Sequence, residues 1–182
     1  MCVLRVGWRP RGDDNGGIFM PVKLSKCVSL AAVFFAAASF QAANAESALR
    51  PLAGYWLGAG TISMKNGTSE RIRCKGSYAI SPAGNALNQS LLCASDSYKF
   101  DVKSNVFENS PGVLTGSWGE TTRNATGQLS GRVAGPHILA DVAGVGFTAA
   151  ISITTRGRQQ SVTISPTGGT DVVRVAVSMR KE

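Results

Sequence analysis

The chain has a single histidine, His137, and none of its four cysteines stands in a Cys-x-x-Cys pair. A zinc centre built from His and Cys therefore lacks ligands, and a redox dithiol lacks its spacing. Gly-x-Ser-x-Gly is absent, as is a Gly-rich phosphate loop between a strand and a helix, so neither a hydrolase nucleophile nor a nucleotide cradle is recognisable. His137 with Asp141 could be set beside a serine, but serines are too numerous to nominate one, and the histidine is expected in a surface loop. Asp101, Glu108 and Glu120 share no paired-carboxylate motif and are expected mostly to face water. No catalytic residue, metal ligand or cofactor is nominated, and the expectation is a protein that is not an enzyme.

No apolar run reaches the roughly 20 residues needed to cross a bilayer as a helix. The longest, Cys27 to Phe40, follows Lys23 and Lys26 and is followed by Gln41-Ala42-Ala43-Asn44-Ala45. Positive charge, a short apolar segment and small residues in that order make a secretory signal peptide, here residues 20–45, cleaved after Ala45. Residues 1–19 have no apolar period and read as a start called too far upstream or as a disordered extension. Cys27 opens the apolar run rather than following the cleavage point, so lipid attachment is not expected. The expected location is the periplasm or the medium, reached by bacterial-type export, with no membrane span in the mature chain.

Residues 46–182 are then one domain. They hold 14 Lys or Arg against 9 Asp or Glu, a basic excess of about five charges. Such an excess steers anionic partners, an envelope component among them. Arg71, Arg73 and Lys75 stand outward without aromatic company, so nucleic acid is not expected. Nothing in the sequence sets the oligomeric state.

What is abundant is glycine, 21 residues, together with a period of two. Ile72, Cys74, Gly76, Tyr78 and Ile80 alternate with polar residues, as do Leu87, Gln89, Leu91 and Cys93 after the turn Ser81-Pro82-Ala83-Gly84-Asn85. The pattern recurs through Tyr98–Val102, Leu114–Trp118, Gly127–Val133, Phe147–Ile153, Val162–Ile164 and Val173–Met179, with a weaker strand near Ile138 to Val142. This predicts an all-β, antiparallel up-and-down meander of eight to ten strands, which would bury its apolar face and remove its edges by closing as a small barrel. A two-sheet β-sandwich is the alternative. A hairpin turning about Ala83 and Gly84 sets Cys74 opposite Cys93, which predicts a disulfide, and sets Tyr78 opposite Gln89. Tyr78 and Gln89 either satisfy each other or, with inward Trp118, line a ligand cavity.

Leu52-Ala53-Gly54-Tyr55-Trp56 resembles the Gly-x-Trp opening of the calycins, the lipocalin and avidin barrels. The resemblance implies a barrel whose Trp56 plugs one end under a basic side chain of the last strand, expected to be Arg180. The lipocalin Thr-Asp-Tyr motif and the avidin biotin contacts are not present. The same opening, with one disulfide, also resembles periplasmic inhibitors of metalloproteases, which are eight-stranded barrels. The expected function is binding of a small, partly apolar ligand. The alternative is a protein-binding barrel, such as a protease inhibitor or an envelope-associated factor. N-terminal sequencing of the exported protein should find Glu46 first; a chain that retains residues 20–45 would refute the processing reading.

Overall fold

Alternation with a period of two is what a strand buried on one face requires, and it becomes ten strands. The structure, a computed structural model, describes residues 47–182; the predicted extension 1–19 and signal peptide 20–45 lie outside the described residues. After a single 3-10 turn (Arg50–Leu52) come β1 (Gly54–Met64), β2 (Ser69–Ile80), β3 (Ala86–Ala94), β4 (Lys99–Ser110) and β5 (Val113–Glu120). β6 (Ala125–Ala134), β7 (His137–Gly144), β8 (Phe147–Arg156), β9 (Gln159–Gly168) and β10 (Val172–Lys181) follow. Each strand pairs antiparallel with the next, and β10 pairs back onto β1, so the sheet closes as a barrel rather than splitting into a sandwich. The strand count exceeds by two the eight that the inhibitor resemblance implies.

The two ends of the barrel are built differently. At one end the turns 81–85, 111–112, 135–136 and 157–158 surround the 3-10 turn, which forms a floor. Leu49, Leu52 and Trp56 are almost fully buried there, and the Trp56 Nε1 donates to the Leu52 carbonyl at 2.8 Å. The segment before β1 is tied to the β2–β3 turn, where the Ser47 hydroxyl bonds the Gly84 carbonyl and the Arg50 guanidinium donates to the Pro82 carbonyl at 3.1 Å. At the other end the turns 65–68, 95–98, 121–124, 145–146 and 169–171 surround a mouth.

Closure requires strands to bend, and glycine at inward positions permits it. A Cβ at Gly60 would lie 1.9 Å from the Ala176 carbonyl oxygen on β10, so β1 and β10 could not approach as they do with any other residue there. A register shift opposite Ser63 and Met64 buries Val172 and leaves Val173 42% exposed, which corrects the expected inward placement of Val173. The cause is one extra residue in β10, which reverses the side-chain parity beyond it.

Cys74 and Cys93 are register partners on β2 and β3 and are joined by a disulfide, their Cα atoms 4.1 Å apart. The bond points inward. In the chain-entropy account a loop of this length gives about 3 kcal/mol. The Cys74→Ala, Cys93→Ala double variant should keep its strand content by circular dichroism and lose about 3 kcal/mol of unfolding free energy. An unchanged denaturation midpoint would show that the bond contributes nothing to stability.

Candidate functional site

The inward side chains do not fill the barrel. Interior width grows with strand number, and eight strands give an interior that side chains fill or that holds one small ligand. Here ten strands with small inward residues leave a cavity of about 480 Å³. It extends from Leu49 and Leu52 at the floor to Arg123, Val145 and Thr170 at the mouth. Its wall is mainly Leu, Ile, Val, Phe and Tyr, with Gln89 and Ser104 among its few polar groups. A shallower hollow of about 310 Å³ lies along β7 to β9, touching Leu139, Ser152 and Thr163.

The three residues expected to line the interior fall on one register row. Tyr78 pairs with Gln89, Gln89 with Ser104, Ser104 with Trp118, Trp118 with Gly127, Gly127 with Gly144 and Gly144 with Phe147. The row starts near the floor on β2 and ends at the mouth on β8.

Tyr78 and Gln89 do not satisfy each other. The Tyr78 hydroxyl donates to Gln160 Oε1 at 3.2 Å, and Gln160 Nε2 donates to the Thr155 hydroxyl at 3.1 Å. Burial with only this neutral partner pushes the Tyr78 phenol up to about 12. Gln160, 2% exposed, is a buried partner outside the sequence-derived set, on the inward parity that runs back from Ile164 and Val162. Gln89 is half-buried on the cavity wall, and its amide has no hydrogen-bond partner among the described residues.

Trp118 occupies space that two glycines leave. A Cβ at Gly127 would lie 2.7 Å from its Nε1, and one at Gly144 would lie 2.9 Å from its Cζ2. The indole therefore lies over these positions and meets Phe147 edge to face at 5.8 Å. Its Nε1 is buried without a hydrogen-bond partner among the described residues. Trp118 is a packed part of the β5–β8 wall as well as a lining residue.

At the mouth Glu120 is buried, against the expectation that it faces water. Its carboxylate accepts from the backbone N–H groups of Asp101, Thr122 and Arg123 and from the Thr122 hydroxyl, and so organises the β5–β6 turn. Burial alone would raise its pKa, but these donors hold the carboxyl below its ordinary value. Arg123 sits 3.8 Å from Glu120 and 4.9 Å over the Phe100 ring.

The plug also differs from expectation. Trp56 is buried, but Arg180 is exposed and pairs with Leu57 on the outer face. Lys181 is the cation over Trp56, its Nζ 5.7 Å from the ring centroid. The inward set Val175, Val177 and Met179 continues to 181, not 180. His137 and Asp141 are exposed, but His137 opens β7, paired with Ala134 and Thr154, rather than lying in the expected loop, and its Nδ1 is 3.0 Å from the Thr154 hydroxyl. Among the described residues no three His, Cys, Asp or Glu side chains are grouped to hold a metal ion.

No protein-family model and no curated protein matches the chain. Solved structures do. Rv2717c from M. tuberculosis superposes with a TM-score of 0.62 at 16% identity, covering 77% of this chain and 98% of that one. The S-type phycobiliprotein lyase CPES from Guillardia theta superposes with a TM-score of 0.55 at 8% identity, covering 74% and 90%. At such identities the likeness is one of fold, and the closed antiparallel barrel fits the calycin-like architecture. The expectation that the chain is not an enzyme is corrected here. A protein of the same fold carries the name of a lyase, so motifs that belong to other folds no longer exclude catalysis by their absence.

The buried phenol gives a pH test. Folding holds the proton on Tyr78, so its contribution is fully present below pH 10 and is lost as pH rises through about 12. Tyrosinate absorbance should show one late titration near pH 12 that disappears in Tyr78→Phe. No late-titrating tyrosine in the wild type would contradict the buried Tyr78–Gln160 pair.

Proposed function

We propose that the barrel binds a small, partly apolar ligand in its interior and works outside the cytoplasm. The observation that carries the reading is the cavity of about 480 Å³, which reaches the mouth between the turns at 121–124, 145–146 and 169–171. Its volume lies within the roughly 300–1,000 Å³ typical of small-molecule sites. A wall of this chemistry favours a ligand that is mostly apolar, with few groups able to use the Gln89 amide. The name of the lyase among the similar folds is consistent with a barrel that takes a small molecule. The Cys74–Cys93 bond supports an oxidising compartment. The leader-like segment 20–45 supports export, and no helix of the described residues is long and apolar enough to cross a membrane.

Trp118 is a poor place to test the reading. Its packing over Gly127 and Gly144 makes Trp118→Ala a stability variant, with an expected cost of about 3–5 kcal/mol. Gln89→Trp is the better choice, because it places an indole in the cavity from a half-buried wall position. Wild type should take up the neutral probe N-phenyl-1-naphthylamine with a blue-shifted emission that Gln89→Trp reduces at least tenfold at unchanged circular dichroism. A folded wild type that takes up no probe, and carries no small molecule by native mass spectrometry after purification from its own host, would refute the proposal and leave the protein-binding alternative ahead.

A further inference from the structure

Charge is distributed unequally along the barrel axis. Within three residues of the strand ends at the floor, or in the floor turns, stand Arg50, Arg132, Arg156, Arg158, Arg180 and Lys181, against Glu108 and Glu182. By the same measure the mouth is balanced. There Lys65, Arg71, Lys99, Arg123 and Arg174 stand against Glu70, Asp96, Asp101, Glu120, Asp141 and Asp171.

Exposed apolar side chains follow the same axis. Tyr55 is 72% exposed, Leu57 48%, Phe107 50%, Val113 46% and Leu139 51%, and all five lie in the floor half on β1, β4, β5 and β7. The mouth has only Val145 and Val173 among the large exposed apolar residues. Cations sit beside this collar in register. Arg132 lies between Val113 and Leu139, and Leu57 lies between Arg180 and Lys75. Three residues of strand span about 10 Å, close to the roughly 5–10 Å depth at which interfacial elements sit among headgroups.

We propose that the floor end docks on the surface of a bilayer containing anionic phospholipid, with the mouth turned to water. The cations supply attraction to the headgroups. The collar supplies apolar side chains where the barrel meets the acyl boundary, a contact that a polysaccharide or nucleic acid would not reward. Docking by the floor also leaves the cavity accessible, and it does not depend on what the cavity holds.

Closure of every strand edge lets residues 46–182 be tested as the processed protein. The chain from Glu46 should co-sediment with vesicles of phosphatidylcholine and phosphatidylglycerol in equal parts, and much less with phosphatidylcholine alone. At about fivefold in affinity per surface cation, the Arg132→Gln, Arg156→Gln, Arg158→Gln triple variant should bind on the order of a hundredfold more weakly. Leu57→Ser with Leu139→Ser should weaken vesicle binding while leaving retention on heparin unchanged. The mouth triple variant Lys65→Gln, Lys99→Gln, Arg174→Gln should bind vesicles like wild type. No co-sedimentation of wild type with anionic vesicles would overturn the proposal. So would an equal loss from the mouth variant, or a Leu57, Leu139 variant that binds as before, which would mark a polyanion surface instead.

Discussion

The ladder between β1 and β10 joins the first strand to the last, and the other features of the molecule presuppose it. It runs from Trp56 opposite Lys181 to Met64 opposite Val172, and it is possible only because Gly58 and Gly60 let β10 come close. Without that ladder the sheet would have two free edges and one wet apolar face. With it, the inward set of every strand faces a common interior, and the count of ten decides that this interior is wider than its side chains can fill. Cavity, floor and mouth are consequences of closure rather than separate constructions.

Much of this was legible from parity alone. The turn at 81–85 placed Cys74 opposite Cys93 and Tyr78 opposite Gln89, and both pairs stand in register. Parity failed where a strand gained a residue, at Val172 and Val173, because an extra residue leaves no mark in a run of valines. At the end of β10 the same parity runs from Val175, Val177 and Met179 to Lys181, which is why Lys181 and not its exposed neighbour Arg180 stands over Trp56. A glutamine between a turn and an apolar run, as at Gln160, reads as a turn residue. Only the distant Tyr78 makes it a buried partner.

What could not be read were relations across several strands. The row from Tyr78 to Phe147 depends on six successive registers, and a shift of one residue in any hairpin would break it. Glu120 carried no signal as a buried carboxylate, since three of the donors that hold it are backbone N–H groups supplied by the fold, beside the one hydroxyl of Thr122. Charge is similar: the basic excess is plain in the composition, whereas its concentration at the floor appears only when alternate strand ends are gathered together.

The space that Gly127 and Gly144 leave for the Trp118 indole ties three positions on three strands into a single unit. A methyl group added at 144 would stand 2.9 Å from the indole and 2.5 Å from the Thr126 carbonyl oxygen, one added at 127 would stand 2.0 Å from the Ala143 carbonyl oxygen, and an indole removed from 118 would leave two bare glycines and an unsupported Phe147. A smaller residue at 118 would remove the indole but would not make room at 127 or 144, because the carbonyl oxygens across the ladder still exclude a side chain there. The dependence therefore runs one way: the bare backbone at 127 and 144 is fixed by the ladder itself, and position 118, 26 residues before 144, is where a large flat side chain can use the space that the ladder leaves uncovered.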